Sequence, residues 1–475
     1  MENNNDPKIS VILTAHNYAK FIGQAIESVL SQTVKDFELI VVNDGSTDHT
    51  MEVLSKYDNH PRIKVIHLDG VGLAAACNAA IKASKGEYVI RLDADDFFDE
   101  NILLVESNIL DSRPEIHLVY SDYFSIDYVG NIIDYYRLMK SNEELKLLDR
   151  APLGAGAMYR RSCYEEIGGY NEALRYQEDY DFWLRFINRY KVYNVRLPLM
   201  YYRQHEGSMS TNTEHRKMAR GHVKHEFAKK HSERNMKIIG LFGASVFLKK
   251  DFKFKFPLKK IHDQPLIYYS IKALSGCDYI GEVYISTDDR EVEETAKKIG
   301  AKSMGLHSKE LSKPSSGRAD IIQYFLKRLD EHGKAIPDIV VSVSPNYPFI
   351  NAHNVREAID TMLIHDYDSV ISVIEHYDFY WRPGQYGLQP FGYNREMMKE
   401  DNESVYLEKG GIKVIKTKNF LGNNWLGNSV GFIELTEKEA IFVKNDEFSI
   451  SMASQMMEED FSEGIPEDKF LYKNK

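Results

Sequence analysis

Two apolar runs, each ending in small or polar residues and each followed by a segment of helical periodicity, constrain this chain more than any other feature. ISVILTAHNY (9–18) is the first, and in the AKFIGQAIESVLSQ that follows it, Phe21, Ile22, Ala25, Ile26, Val29 and Leu30 recur at helical spacing. FELIVVNDGSTD (37–48) then reads as a second buried strand that breaks into a turn. Strand, helix and strand in this order predict a parallel α/β sheet, because parallel neighbours need a crossover, and that crossover is usually a helix. Ligands of such sheets sit outside the carboxyl ends of the strands. IKVIHL, an alanine-rich helix from about Gly72 to Ser84, and EYVIRLDADD continue the pattern.

The second run, MKIIGLFGAS, begins at Met236, and PLIYYSIKALSG and GEVYISTDD follow it as helix and strand. The halves are nearly equal, which predicts two doubly wound α/β domains, 1–235 and 236–475. Residues 214–234 read as a helix that closes the first. With 475 residues each half is long enough for its own core. Apolar residues at 43% and charged residues at 28% exclude wholesale disorder, and a net charge of −11 argues against a nucleic-acid partner. Cys77, Cys163 and Cys277 lack the paired spacing of a zinc site or a disulfide framework. No apolar stretch approaches the roughly 18 residues of a membrane span, and MENNNDPK has no signal-peptide pattern. The expectation is a cytoplasmic protein.

VIRLDADDFFDE (89–100) places Asp93, Asp95, Asp96 and Asp99 directly after a buried strand. Two carboxylates one residue apart suit a divalent cation, Mg²⁺ or Mn²⁺, that bridges diphosphate oxygens. A solvated acidic turn has the same composition. Asp44, just past its strand, is set to accept hydrogen bonds from a base or ribose. RYQEDYDFWLRF carries Glu178, Asp179 and Asp181 among aromatics, with Phe182, Trp183 and Phe186 read as helix core, and YYRQHEGSMS supplies His205.

Taken in order, VILTAHNYAKFI, VNDGSTD, GVGLAAACNAAIKASKGEYVIRLDADD, GAGAMYRRSCYEEIGGYNEALRYQEDYDFWLR and YYRQHEGSMS resemble family 2 glycosyltransferases of the GT-A type over about residues 8–212. The resemblance implies an inverting, metal-dependent enzyme that moves a sugar from a nucleoside diphosphate, a UDP-sugar in the first instance, to a hydroxyl of a glycan or lipid-linked acceptor. It implies that Thr14, Ala15, His16, Asp44, Gly72, Asn78 and Asp93 border the nucleotide. Asp93, Asp95 and His205 become the metal ligands, Asp179 the general base, and Glu178 the alternative base. His16, Asn43 and Cys77 depart from the residues the family commonly has at these places. Specificity is expected in loops such as 124–156.

QPLIYYSIKALSGCDYIGEVYISTDDREVEETAKKIGAKSMGL, DIVVSVSPNYPFINAHNVREAIDTMLIHDYDSVISV and VYLEKGGIKVIKTKNFL resemble cytidylyltransferases that make CMP-activated acidic sugars. The family's phosphate-cradling loop is replaced by LFGASVFLKKDFKFKFPLKKI, and its closing pair of Asp residues by Ser449 and Ser451 in EFSISMAS. A hydroxyl is a poor substitute for a carboxylate on a hard cation. The resemblance therefore implies a domain that has lost its chemistry; a bifunctional enzyme, or a binding scaffold using both folds, is the alternative. Relatives of this half commonly pair, so a homodimer is expected. KKDFKFKFPLKK (249–260) alternates Lys with Phe252, Phe254 and Phe256, which predicts a strand or hairpin with one basic and one aromatic face and, through it, peripheral membrane contact.

Overall fold

The computed structural model describes residues 6–138, 154–205, 213–231, 236–244, 255–313, 316–376, 380–384, 387–391, 405–421 and 424–463. The chain forms two compact units, one ending at Val223 and the other beginning at Lys224, so the division falls inside the helix Thr213–His231. Among the described residues no helix is long and apolar enough to cross a membrane.

The first unit is built on β1 (Ile9–Ala15), β2 (Phe37–Asp44), β3 (Ile63–Leu68), β4 (Tyr88–Asp93), β5 (Phe97–Phe98), β6 (Leu118–Ile126), β7 (Ile132–Tyr136), β8 (Ala157–Arg160) and β9 (Val192–Arg203). They form one sheet in the order β3-β2-β1-β4-β8-β6-β9-β5, with β7 on the side of β6. β3, β2, β1 and β4 run parallel, and β8 is antiparallel to both β4 and β6. The period of two along each strand sorts side chains into two layers. Val11, Leu13, Leu39, Val41, Ile90 and Leu92 pack with Ile22, Ile26 and Val29 of the helix Ile22–Leu30. Ile12, Ile40, Val42 and Val89 pack on the other face with Ala76, Ala80 and Ile81 of Leu73–Ala83 and with Phe182, Trp183 and Phe186 of Glu178–Ile187. Each of the buried Val, Leu, Ile and Phe side chains contributes about 1.5–3 kcal/mol.

This layering sets the site. β1 lies between β2 and β4, where the strand order reverses; Thr14 pairs with Asp93 of β4 and Ala15 with Asn43 of β2. The carboxyl ends of three neighbouring strands thus converge at the point where open α/β sheets leave a crevice.

The second unit has a seven-stranded sheet in the order Lys302–Ser303, Glu282–Ser286, Ile238–Gly243, Ile339–Val343, Val405–Lys416, Ser369–His376 and Val430–Glu434. Val405–Lys416 is antiparallel to both of its neighbours, and the remaining pairs are parallel. Ile271 and Leu274 of Leu266–Ser275 and Ile359 and Met362 of Ala352–His365 cover one face, and Ile322, Phe325 and Leu329 of Arg318–Glu331 the other.

The expected strand or hairpin over 249–260 is replaced in residues 255–259 by a turn, and only Lys260 joins a strand, Lys260–Ile261, paired antiparallel with Gln264–Pro265. Residues 249–254, with Phe252 and Phe254, lie outside the described residues. Phe256–Leu258 is a 3₁₀ turn with Pro257 at its start, and a proline, with its fixed φ and no N–H, suits a turn rather than a strand interior. Lys255 is held by Asp289 at 2.9 Å and Glu291 at 2.7 Å, and Phe256 packs inward against Ile261 and Leu266.

Candidate functional site

A cavity of about 680 Å³ lies at the carboxyl ends of the parallel strands of the first unit. Thr14, Ala15 and His16 reach it from the end of β1, Asp44 from β2, and Gly72 from the start of the helix Leu73–Ala83. Asp93 and Asp95 come from the end of β4 and its turn, Glu178 and Asp179 from the first turn of Glu178–Ile187. That first turn is a favourable place for carboxylates, since the helix dipole presents its positive end there.

Asp44 is nearly buried, and its two oxygens accept from the backbone N–H groups of Val71 and Gly72, each at 2.7 Å. This ties the loop after β3 to the end of β2. His16 adds a second tie, Nδ1 donating to the Asp44 carbonyl at 2.6 Å. The two loops approach so closely that a Cβ on Gly45, whose φ is +69°, would lie 2.8 Å from the Gly70 backbone nitrogen.

Arg91 stands two residues before Asp93 on the same face of β4, and its guanidinium is buried. Nε and Nη2 donate to the two Asp93 oxygens at 2.7 and 3.1 Å, and Nη1 faces Glu178 at 3.5 Å. Burial opposes its charge, but Asp93 and the other groups around it outweigh that and hold the guanidinium firmly protonated. Burial, with Asp179 next to it, pushes the Glu178 carboxyl up to about 7, while Arg91 pulls the other way. Asp179 is half-buried and turns its carboxylate to the cavity, against Gly154, where a Cβ would sit 3.1 Å from Oδ2.

The four acids after β4 divide by role. Asp99 accepts from the Asn101 backbone and supports the start of Ile102–Ser112. Asp96 is buried, accepts the Arg203 N–H at 2.9 Å, and is raised well above the usual carboxylate range by burial and by Asp95 and Asp93. Asp95 is raised by burial and by Asp93, and its Oδ2 lies 3.0 Å from His205 Nε2. Among the described residues no group of three or more His, Cys, Asp or Glu is already gathered as a metal cage. The pair Asp95 and His205, with Asp93 on the same cavity, nevertheless fits a hard cation, which commonly takes one or two protein carboxylates and completes its shell with phosphate oxygens and water.

Of the predicted residues, the cavity lining includes neither His205, which meets the cavity only through Asp95, nor Asn78. Its amide donates to the Tyr170 carbonyl at 2.9 Å and to Glu172 at 2.8 Å, and its oxygen accepts from the Tyr164 hydroxyl and the Tyr170 N–H, which fastens the loop before Asp179. Sequence reasoning missed Arg91 and Arg203. Arg203 is buried between Phe21 and Phe97 and donates to the Asp95, Asp127 and Tyr128 carbonyls and to Gln24, so that it staples the acidic turn to β9. For Arg91 a signal existed: a charge inside an apolar strand, two positions from an Asp, must be buried beside it.

In the second unit Ser449 is nearly buried; its hydroxyl donates to the Lys444 carbonyl at 3.0 Å and accepts the Lys444 N–H at 3.1 Å. Ser451 is exposed on the same helix, Glu447–Glu463.

Residues 10–168 match the family model described as glycosyl transferase family 2, and residues 253–385 match that described as cytidylyltransferase. Chondroitin synthase of Escherichia coli is 33% identical over 184 residues, 38% of this chain and 26% of that protein. Hyaluronan synthase of Pasteurella multocida is 30% identical over 40% of this chain and 20% of its own length, so this chain spans about a quarter or less of these synthases. The putative glycosyltransferase EpsE of Bacillus subtilis is 32% identical over 41% of this chain and 72% of its own length. The crystal structure of Staphylococcus aureus TarS 1–349 in complex with UDP-GlcNAc aligns with a TM-score of 0.41 at 23% identity, covering 47% of this chain and 66% of that one. By its motifs, the two family models and the relative of Bacillus subtilis, the chain belongs to glycosyl transferase family 2 over its first half and continues into a cytidylyltransferase domain.

Proposed function

We propose that the first domain, residues 1–235, transfers a sugar from a nucleoside diphosphate, with a UDP-sugar as the first donor to test, to a hydroxyl of a glycan or lipid-linked acceptor, with inversion. The observation that carries this reading is the single cavity that holds Asp44, Asp93, Asp95 and Asp179 at the strand ends. The synthase relatives support a role in assembling a bacterial surface polysaccharide or glycoconjugate.

The residues divide the work as their surroundings dictate. Asp44, with Thr14, Ala15, His16 and Gly72, borders the nucleoside. Arg91 fixes both Asp93 oxygens, so that carboxylate meets the donor in one orientation. Asp95 and His205, with Asp93, hold the divalent cation, Mn²⁺ or Mg²⁺, which when bound neutralises charge on the leaving diphosphate. Asp179 takes the acceptor hydroxyl proton as that oxygen bonds to the anomeric carbon and the bond from this carbon to the diphosphate breaks. One displacement leaves the configuration inverted and releases the nucleoside diphosphate. Glu178, buried against Arg91, positions the guanidinium and leaves the base role to Asp179.

The second domain, 236–475, is proposed to keep the nucleotidyltransferase frame without CMP-sugar synthesis. The support is Ser449, whose hydroxyl is engaged with the Lys444 backbone where a metal-binding carboxylate is required. One calorimetric experiment on the full chain addresses both halves. UDP is expected to bind with Mn²⁺ and to lose the metal-dependent part in Asp95→Asn. CTP with Mg²⁺ and nonulosonic acids is expected to release no pyrophosphate. UDP binding indifferent to Mn²⁺ and to Asp95 counts against the metal site, and pyrophosphate release at turnover rates counts against the lost chemistry.

A further inference from the structure

We propose that the tyrosine face shared by β6, β7 and β9 is an acceptor subsite, a platform on which a pyranose ring of a glycan lies while its neighbour presents a hydroxyl to Asp179. This rests on the transferase reading above and adds the chemical class of the acceptor. In the antiparallel register of β6 and β7, Tyr123 stands opposite Tyr136. Their rings are parallel, 5.0 Å apart with 5° between planes, and Tyr202 of β9 meets Tyr123 edge-on at 5.8 Å. Tyr123 and Tyr202 line the same cavity as Asp95 and Asp179, as does Leu138, two residues beyond Tyr136. Tyr136 is 40% exposed, and since Tyr123 covers one side of its ring, the accessible surface is the other. The row of rings therefore runs from the cavity out to solvent.

Such a surface suits a sugar. A pyranose offers a C–H face to an aromatic ring and hydroxyls around its edge, and tyrosine supplies rigid apolar area with a polar rim at the cost of ordering few torsions. The outer end of the hairpin also exposes Val129, Ile132 and Ile133, at 80%, 57% and 55%, which raises a lipid surface as the other occupant. Charge argues against it: the solvent-accessible charges of the hairpin are Asp127 and Asp134 against Arg137, a net negative face of the wrong sign for anionic headgroups, Asp122 being buried.

The test uses the full chain, its Tyr136→Ala and Tyr136→Phe variants, and saturation-transfer NMR with two tetrasaccharides. One is a homopolymer of N-acetylhexosamine, the other alternates hexosamine with hexuronic acid. At least one is expected to bind the unaltered chain through its ring C–H protons. Tyr136→Ala is expected to weaken that binding about five- to tenfold, the size of one aromatic contact, and Tyr136→Phe to restore it. UDP affinity with Mn²⁺ is expected to be equal in all three. Binding of neither tetrasaccharide, or equal glycan affinity with and without the Tyr136 ring, overturns the subsite while leaving the transferase reading in place. Binding to phosphatidylglycerol vesicles that is lost in Tyr136→Ala while glycan binding is unchanged overturns it in favour of a lipid surface. Absence of UDP binding to the unaltered chain instead overturns the transferase reading and this subsite with it.

Discussion

Glu178 and Asp179 are adjacent in sequence and alike in chemistry, yet the fold gives them different tasks. Both line the cavity, but Glu178 is buried beside Arg91 and Asp179 is only half-buried. Because burial lifts Glu178 from 4.5 to about 7, the folded protein holds a proton that the unfolded chain releases at lower pH. The sign follows: below about pH 4.5 the group costs nothing, the cost of ionising it grows between 4.5 and 7, and above 7 it is complete. Glu178→Gln is thus expected to gain stability relative to the unaltered chain as pH rises from 5 to 8, by at most about 1.4 kcal/mol per pH unit, in thermal unfolding series. A variant that instead loses ground toward pH 8 indicates an ionised Glu178 stabilised by Arg91. At this scale the sequence pointed to acids that line one cavity, because they end strands or open a helix. It did not show that Asp96 and Asp99 serve the backbone, since their partners, Arg203 and Asn101, become visible only when β9 and the following helix are in position.

At the scale of elements, the strands β1 to β4 and their crossover helices were legible, β1, β2 and β4 because a buried parallel strand is a continuous apolar run. The remaining strands were harder. β6 pairs with β7, β8 and β9, partners separated from it by different distances in sequence, and nothing local announces such a register. The tyrosine platform was hidden for that reason. The contact between the loops after β2 and β3 was partly visible as NDGS and GVG, glycine-bearing turns whose meeting the sequence does not state. Gly45→Ala tests it: at φ +69° with the Gly70 backbone 2.8 Å from the new Cβ, the loops must part and Asp44 must release Val71 or Gly72. The expected result is a loss of about 1–3 kcal/mol in urea unfolding together with weaker UDP binding that still depends on Mn²⁺. Unchanged UDP affinity separates the nucleoside pocket from these loops.

On the scale of the whole molecule, the two halves reuse one architectural idea, parallel strands with helices on both faces, and differ in what their strand ends carry. The first brings six acidic residues, Asp44, Asp93, Asp95, Asp96, Glu178 and Asp179, to one cavity. In the second, Asp289 caps the helix Arg290–Ile299 and is paired with Lys255, and Ser449 serves the Lys444 backbone. The resemblance to cytidylyltransferases was legible in the frame of apolar strands and helices. The loss of chemistry proposed for this domain rests on substitutions legible in the sequence, among them Ser449, whose hydroxyl serves the Lys444 backbone.

The most direct test of the account is the rate of UDP release from a panel of UDP-sugars by the full chain with Mn²⁺ and glycan acceptors, compared between the unaltered protein and Asp179→Asn. The account predicts a fall of about 10²–10⁴ in kcat for Asp179→Asn, the typical contribution of a positioned base, with UDP affinity unchanged. Equal turnover by the two proteins, measured with UDP binding intact, would contradict it.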